Sequence, residues 1–278
     1  MKKSKMRIIY AFLILVIILS IIYIVEYILL KKEVLEESEL LNNYNKVEFI
    51  VNDFMKNEII SNDLLQKIGI ASGEYKQNVI QKTERISKLN KIREQNSDIV
   101  GWLEIEGTSI NYPLLQGNDD KYYMNHNYKK QKSKNGSIFL TSEYNWDIPS
   151  DNLLIFGHNL NNGTMFQELL KYSNEAFYKK HQTIRFTTME DDAEYEIISV
   201  FKSRVYYKSE KNVFRYYYFV NANNEEEYNE FVKNAKKASL YNIDATAKYG
   251  EQLITLSTCS YHVKDGRFAV VAKKIEKK

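Results

Sequence analysis

The sequence predicts a mostly β protein: a closed or nearly closed barrel of eight short strands interrupted by one helix, preceded by further helices and one membrane-spanning segment. Three observations predict it. Between residues 99 and 273, β-rich segments follow one another, bounded by turn residues and without regular alternation with helices. One stretch among them, Glu225 to Ser239, instead places Tyr228, Phe231, Val232 and Ala235 on a helical stripe. Ahead of both, Ile8 to Val25 is an unbroken apolar run, continued past Glu26 by Tyr27 to Leu30.

Composition narrows the class further. At 278 residues the chain has room for one large domain plus an appendage, or for two small ones. Its 44% hydrophobic and 13% aromatic content is ample for a core and excludes a wholly disordered chain. With 10 Gly and 2 Pro it is no collagenous or Pro-rich filament. A net charge of +3, with no Arg-rich stripe, gives no footprint for nucleic acid. The single Cys, Cys259, excludes an intramolecular disulfide framework and a Cys-based zinc cluster.

Residues 1–7 hold Lys2, Lys3, Lys5 and Arg7 without an acid, whereas Lys31 and Lys32 beyond the apolar run are diluted by Glu33, Glu36 and Glu37. This asymmetry predicts a cytoplasmic N-terminus, a single-pass anchor over 8–30, and an extracellular remainder held at the cell membrane. No small-x-small cleavage site follows the run, so an uncleaved anchor is expected over a signal peptide. Residues 31–97 read as a polar-rich helical stalk. One stripe is Val47, Ile50, Val51, Phe54 and Met55, a second is Ile86, Leu89 and Ile92, and Ser72-Gly73 is a break between them. The barrel is expected over 98–278. Its strands are Ile99 to Ile105, Ile110 to Gln116, Gly136 to Thr141, Asn152 to Phe156, Thr183 to Thr187, Ala193 to Arg204, Leu253 to Thr258 and Arg267 to Lys273.

Cys259 ends an apolar strand and runs into Ser260-Tyr261-His262, polar enough to mark a sheet rim. A small buried core residue is one reading of such a Cys. Against it, an idle thiol outside the cell is an oxidation liability, and a rim position suits a nucleophile. A nucleophilic thiol needs a base or cation beside it, and His is the usual partner. Of the four His, His158 leaves the strand Leu153 to Phe156 beside Gly157 and is the best placed for a rim site. His126 lies in a Tyr/Asn-rich loop, His181 follows two Lys, and His262 is only three residues from Cys259, where an extended chain separates the side chains. Asp265-Gly266-Arg267 reads as the turn into the last strand. If that strand pairs with the Cys strand, Arg267 comes near the same rim and offers donors for a developing oxyanion; a solvated surface charge is the plainer reading.

Thr255-Leu256-Ser257-Thr258-Cys259 resembles the TLxTC signature of sortases, the membrane-anchored cysteine transpeptidases of Gram-positive bacteria. His158 after a strand and Arg267 eight positions past the Cys are similar to the family's other catalytic positions. Gly101-Trp102-Leu103 through Asn111-Tyr112-Pro113 resembles the family's first strands, and the likeness runs from about Asp98 to Lys274. The helix inserted before the Cys strand, and the helical stretch before the barrel, resemble class B sortases in particular, although that stretch is longer here.

The resemblance implies a sortase-type closed eight-stranded barrel and a membrane-anchored enzyme. It would cut a C-terminal sorting motif of secreted proteins after Thr, form a thioacyl intermediate on Cys259, and transfer the protein to a cell-wall precursor amine. His158 would act as acid and base, and Arg267 would stabilise the oxyanion or hold the substrate backbone. Ser257 and Thr258 adjoin the nucleophile as candidate groove residues. By the same resemblance Asn118 or Asp120 would contact the motif Thr, and Tyr217 or Tyr218 would wall the groove, packing being the alternative for those two in a chain of 22 Tyr. No metal and no other cofactor is implied. The alternatives are a sortase that joins pilins through a lysine amine, a cysteine peptidase releasing to water, and a catalytically idle, membrane-tethered binding barrel. The C-terminus, ending in Lys277-Lys278, lacks the apolar tail of a sortase substrate.

Overall fold

Eight strands close into one barrel because each finds a partner on both edges. The computed structural model describes residues 73–276. In chain order its elements are α1 (Gly73–Arg93), β1 (Ile99–Glu104), β2 (Asn111–Leu115), β3 (Phe139–Leu140), β4 (Asn152–Phe156), α2 (Glu175–Tyr178), β5 (Thr183–Thr187), β6 (Asp192–Arg204), α3 (Glu225–Ala238), β7 (Leu253–Cys259) and β8 (Gly266–Lys274). The strand order around the wall is β1-β2-β3-β4-β7-β8-β6-β5, sealed by β5 against β1. Full closure leaves no open sheet edge. All pairs are antiparallel except β2 with β3 and β4 with β7.

Period-2 alternation sorts the wall into two faces. Leu153 and Ile155 of β4, Ile254 and Leu256 of β7, and Phe268, Val270 and Ala272 of β8 point into the barrel, where they meet Leu103, Leu114, Ile184, Phe186 and Ile197. Leu253, Ala269 and Val271 face outward into a second core. That core is closed by α3, whose Tyr228, Phe231, Val232 and Ala235 are buried at helical spacing. Asn224 caps α3 by accepting from the Glu227 amide, and three Glu in its first turn with two Lys in its last suit the helix dipole. A Tyr-rich 3-10 turn, Tyr216–Tyr218, packs beside it, and Phe219 stacks on Phe231 at 4.0 Å.

The strand expected over Gly136 to Thr141 shrinks to Phe139–Leu140. Ser137 bonds instead to the 3-10 turn before it, its amide donating to the Tyr123 carbonyl, and pairing with β2 begins only where the Leu115 amide donates to the Ile138 carbonyl. Helix α2 and the 3-10 turns were not legible, being too short to show a period. In α1, Leu89 and Ile92 are buried as the expected stripe requires, and Ile86 is half-buried. The expected anchor over 8–30, the first stalk stripe and Ser72 lie outside the described residues. Among those described, no helix is long and apolar enough to cross a membrane.

Candidate active site

The ends of β4 and β7 and the start of β8 share one edge of the barrel. Residues of β4 and β7 run parallel in register, Phe156 beside Ser257. Carried two residues on, that register sets His158 level with Cys259. Cross-links lock it there. The Gly157 amide donates to the Ser257 carbonyl at 3.1 Å and the Thr258 hydroxyl to the Gly157 carbonyl at 2.7 Å. The buried Asn159 amide side chain donates to the Cys259 carbonyl at 3.0 Å. On the other side, Cys259 stands directly opposite Arg267 in the antiparallel β7–β8 pair.

The alternation then decides the face. Cys259 is in phase with Leu253, Arg267 with Ala269 and Val271, and His158 with the outward positions of β4. All three side chains therefore belong to the outer face. There Cys259, His158 and Arg267 line one groove of about 230 Å³ with Asp120, Met124, Phe139, Phe156, Gly157, Ser257 and Thr258. Cys259 is free and half-buried. Arg267 directs Nη1 back to the carbonyls of Gly266 at 3.0 Å and Asp265 at 3.4 Å, and no carboxylate among the described residues pairs with it. His158 donates from Nε2 to the Met124 carbonyl at 2.6 Å.

Beneath the groove lies Tyr216, wholly buried, its hydroxyl 2.7 Å from the Ser257 hydroxyl. Burial pushes its phenol above the ordinary range, against the opposing pull of the nearby Arg267 charge. It therefore stays neutral and serves as a polar peg under the Cys strand. Asp120, on the opposite wall, is tied at its carboxylate by the Thr141 hydroxyl at 3.0 Å and the Ser142 amide at 2.6 Å.

Of the residues singled out from the sequence, the structure brings Cys259, His158, Arg267, Asp120, Ser257 and Thr258 together. It does not bring in Asn118, which is exposed and off the groove lining, nor Tyr217 and Tyr218. The Tyr217 hydroxyl accepts from the Tyr206 amide, and Tyr218 is 67% exposed on a different groove beside α3. The 3-10 turn aims only the first of the three tyrosines under the site. The other histidines sit apart. His126 stacks on Tyr122, His181 bonds the Glu106 carbonyl, and His262 is exposed and bonds Ser260. Met124, Asn159 and Tyr216 escape sequence reasoning. Only Asn159 carried a signal, its place next to His158. No group of His, Cys, Asp and Glu among the described residues is arranged to hold a metal ion.

The chain is similar to known proteins over this same region. The family model of the sortase domain matches residues 103–275. Sortase B of Staphylococcus aureus (strain NCTC 8325 / PS 47) is 30% identical over 215 residues, covering 77% of this chain and 82% of that protein. Sortase B of Listeria monocytogenes serovar 1/2a (strain ATCC BAA-679 / EGD-e) is 31% identical over 192 residues, covering 68% and 75%. The crystal structure of a sortase B complexed with triglycine superposes with a TM-score of 0.63 at 29% identity, over 73% of this chain and 92% of that one. A closed barrel with an outward Cys, His and Arg at the ends of adjacent strands, matched over most of its length, makes this chain a member of the sortase family of cysteine transpeptidases, most like class B.

Proposed function

We propose that this sortase, held by a membrane-spanning anchor at residues 8–30 with the barrel outside the cell, cuts a C-terminal sorting motif of secreted proteins after Thr and passes the protein to an amine of the cell-wall precursor. The observation that carries this is the convergence of Cys259, His158 and Arg267 on one groove, with Arg267 unpaired by any described carboxylate. The Cys259 thiolate attacks the Thr carbonyl carbon, and the guanidinium donors of Arg267 meet the oxyanion that forms. The C–N bond breaks as His158 gives its proton to the leaving amine, leaving a thioester. The incoming amine attacks that thioester while His158 takes its proton, the C–S bond breaks, and Cys259 leaves as thiolate beside the protonated His158 with a new amide formed. A solved sortase B was crystallised with triglycine, and for this chain we infer an acceptor of the same kind, a primary amine at the end of a short flexible arm. Ser257, Thr258 and Asp120 are the candidate substrate contacts, since they line the groove; Asn118, Tyr217 and Tyr218 lie off it.

The test is cleavage of a panel of sorting-motif peptides with and without an amine acceptor. Cys259→Ala and His158→Ala are expected to abolish turnover with an unchanged circular dichroism spectrum, while His126→Ala, His181→Ala and His262→Ala retain it. Release to water alone, with no amide formed to the acceptor at any concentration, would make the enzyme a peptidase.

A further inference from the structure

We propose that Gly136 is a positioning residue for His158: by leaving space at the Met124 carbonyl, it lets that carbonyl fix the imidazole as the Nε2–H form. Nδ1 is then the nitrogen that exchanges protons with the reacting groups. The inference rests on His158 being the acid and base of the proposed reaction.

A carbonyl oxygen only accepts, so the 2.6 Å contact with Met124 requires the proton on Nε2, whether the ring is neutral or cationic. The His158 backbone is already fixed, its carbonyl taken by the Phe166 amide at 2.9 Å and its neighbour Asn159 tied to Cys259. Rotation of the ring is the freedom left, and the Met124 carbonyl removes it.

Met124 ends a 3-10 turn, Tyr122–Met124, that the chain holds from several sides. Asp119 accepts from the amides of Lys121 at 2.7 Å and Tyr122 at 2.8 Å, and those donors hold its carboxyl below the ordinary range. Tyr123 is buried, donates to Asp98 at 2.7 Å and accepts from Asn96 at 3.1 Å. Its carbonyl receives the Ser137 amide at 2.8 Å.

Gly136 backs directly onto this turn with φ +60°. A Cβ there would lie 2.6 Å from the Met124 oxygen, 2.7 Å from the Tyr123 oxygen and 2.9 Å from the Met124 carbonyl carbon. These are backbone atoms, which cannot rotate aside as a flexible side chain would. Tyr123 is anchored through its ring and its carbonyl, so the displacement falls on the half-exposed Met124, and with it on the hydrogen bond to His158.

The experiment is 15N NMR of the full chain labelled at histidine, with His158 assigned by substitution, alongside peptide turnover. In the wild type, neutral His158 should be a single Nε2–H tautomer. In Gly136→Ala both tautomers should appear, and kcat should fall about tenfold or more, part of the ~10²–10⁴-fold that a positioned acid and base supplies. Gly250→Ala is the control. It has φ +90° with nothing within 4 Å of its Cβ, at the far end of β7, and carries the backbone strain without the collision. That variant should keep the wild-type tautomer and rate. A wild-type ring protonated on Nδ1 or mixed overturns the proposal, and so does a Gly136→Ala ring that keeps one tautomer. Failure of Gly136→Ala to fold where Gly250→Ala folds would make Gly136 a folding residue and also overturn it. If the wild type cuts no sorting peptide, the reading of the site fails, while the tautomer still decides the positioning claim.

Discussion

Arg267 meets Cys259 across the β7–β8 register with one edge of its guanidinium spent on the Gly266 and Asp265 carbonyls. That bracing fixes the plane of the fork and leaves the remaining N–H groups for the groove. A point charge on a flexible stem cannot reproduce it. Arg267→Lys is therefore expected to be nearly as damaging as Arg267→Ala, losing about 10²–10³ in kcat, as for one oxyanion donor. Near-wild-type turnover of the Lys variant would show that positive charge alone suffices and would remove the donor role. Residues of this kind are legible in a sequence because their chemistry lies in the side chain: a thiol at a strand end, an imidazole at a strand exit, a guanidinium after a turn. Met124 contributes a backbone carbonyl, which every residue possesses, so no side-chain pattern marks it. The run Tyr216-Tyr217-Tyr218 shows the opposite limit. Three identical side chains differ only in the direction the turn gives them, and the turn is invisible to composition.

At the scale of elements, α1 is held to the barrel by charge as well as by Leu89 and Ile92. Asp191, in the β5–β6 turn, receives Lys82 of α1 at 2.6 Å and Lys274 of β8 at 2.8 Å. Its neighbour Asp192, almost fully buried, receives Arg85 of α1 at 2.9 Å and Arg185 of β5 at 3.0 Å. Partial burial works against the ionised Asp191, but the two lysine hydrogen bonds outweigh it and bring the carboxyl down to about 2. The folded value is thus depressed below the unfolded ~3.9. The pairing stabilises fully above pH ~4 and is lost as pH falls from there toward ~2, where the folded state must also take up the proton. Asp191 is 38% exposed and Lys82 41%, so solvent screening keeps the net effect to about 1 kcal/mol. Asp191→Asn should therefore unfold at lower urea concentration than wild type at pH 7, with the gap closing between pH ~4 and ~2. A gap that persists unchanged at pH 2 would assign the effect to packing. The sequence shows α1 as a stripe, and it shows most strands, because apolar periodicity is local. Which strand lies beside which is not local. The β4–β7 parallel pairing joins residues about a hundred positions apart, and only that pairing puts His158 next to Cys259.

Across the molecule, the site depends on a barrel whose two faces are both covered, and this bears on which residues the chemistry needs. The inner core draws on residues from Leu103 to Ala272, the outer core on residues from Ile198 to Val271, and α1 adds Leu89 and Ile92. The groove takes its lining from Asp120 to Arg267. The cross-links that align the catalytic edge join β4, β7, the loop carrying Met124, Phe166 and Tyr216, all within the described residues. A unit with its own buried core folds by itself, and the core residues from Leu89 to Ala272 and the groove residues from Asp120 to Arg267 all lie within the described residues 73–276. Removal of residues 1–72 is accordingly expected to give a soluble protein with cooperative thermal unfolding and the full chain's kcat/KM on free sorting peptides. Anchoring, if residues 8–30 supply it, would matter only for reaching membrane-bound acceptors. The comparison is therefore made twice, once with a soluble amine and once with an acceptor carried on vesicles. Equal rates on the soluble amine together with a deficit on vesicles is the expected outcome. A truncated protein with a native circular dichroism spectrum but no peptide cleavage would show that residues before 73 complete the active site, and the self-contained barrel would have to be abandoned.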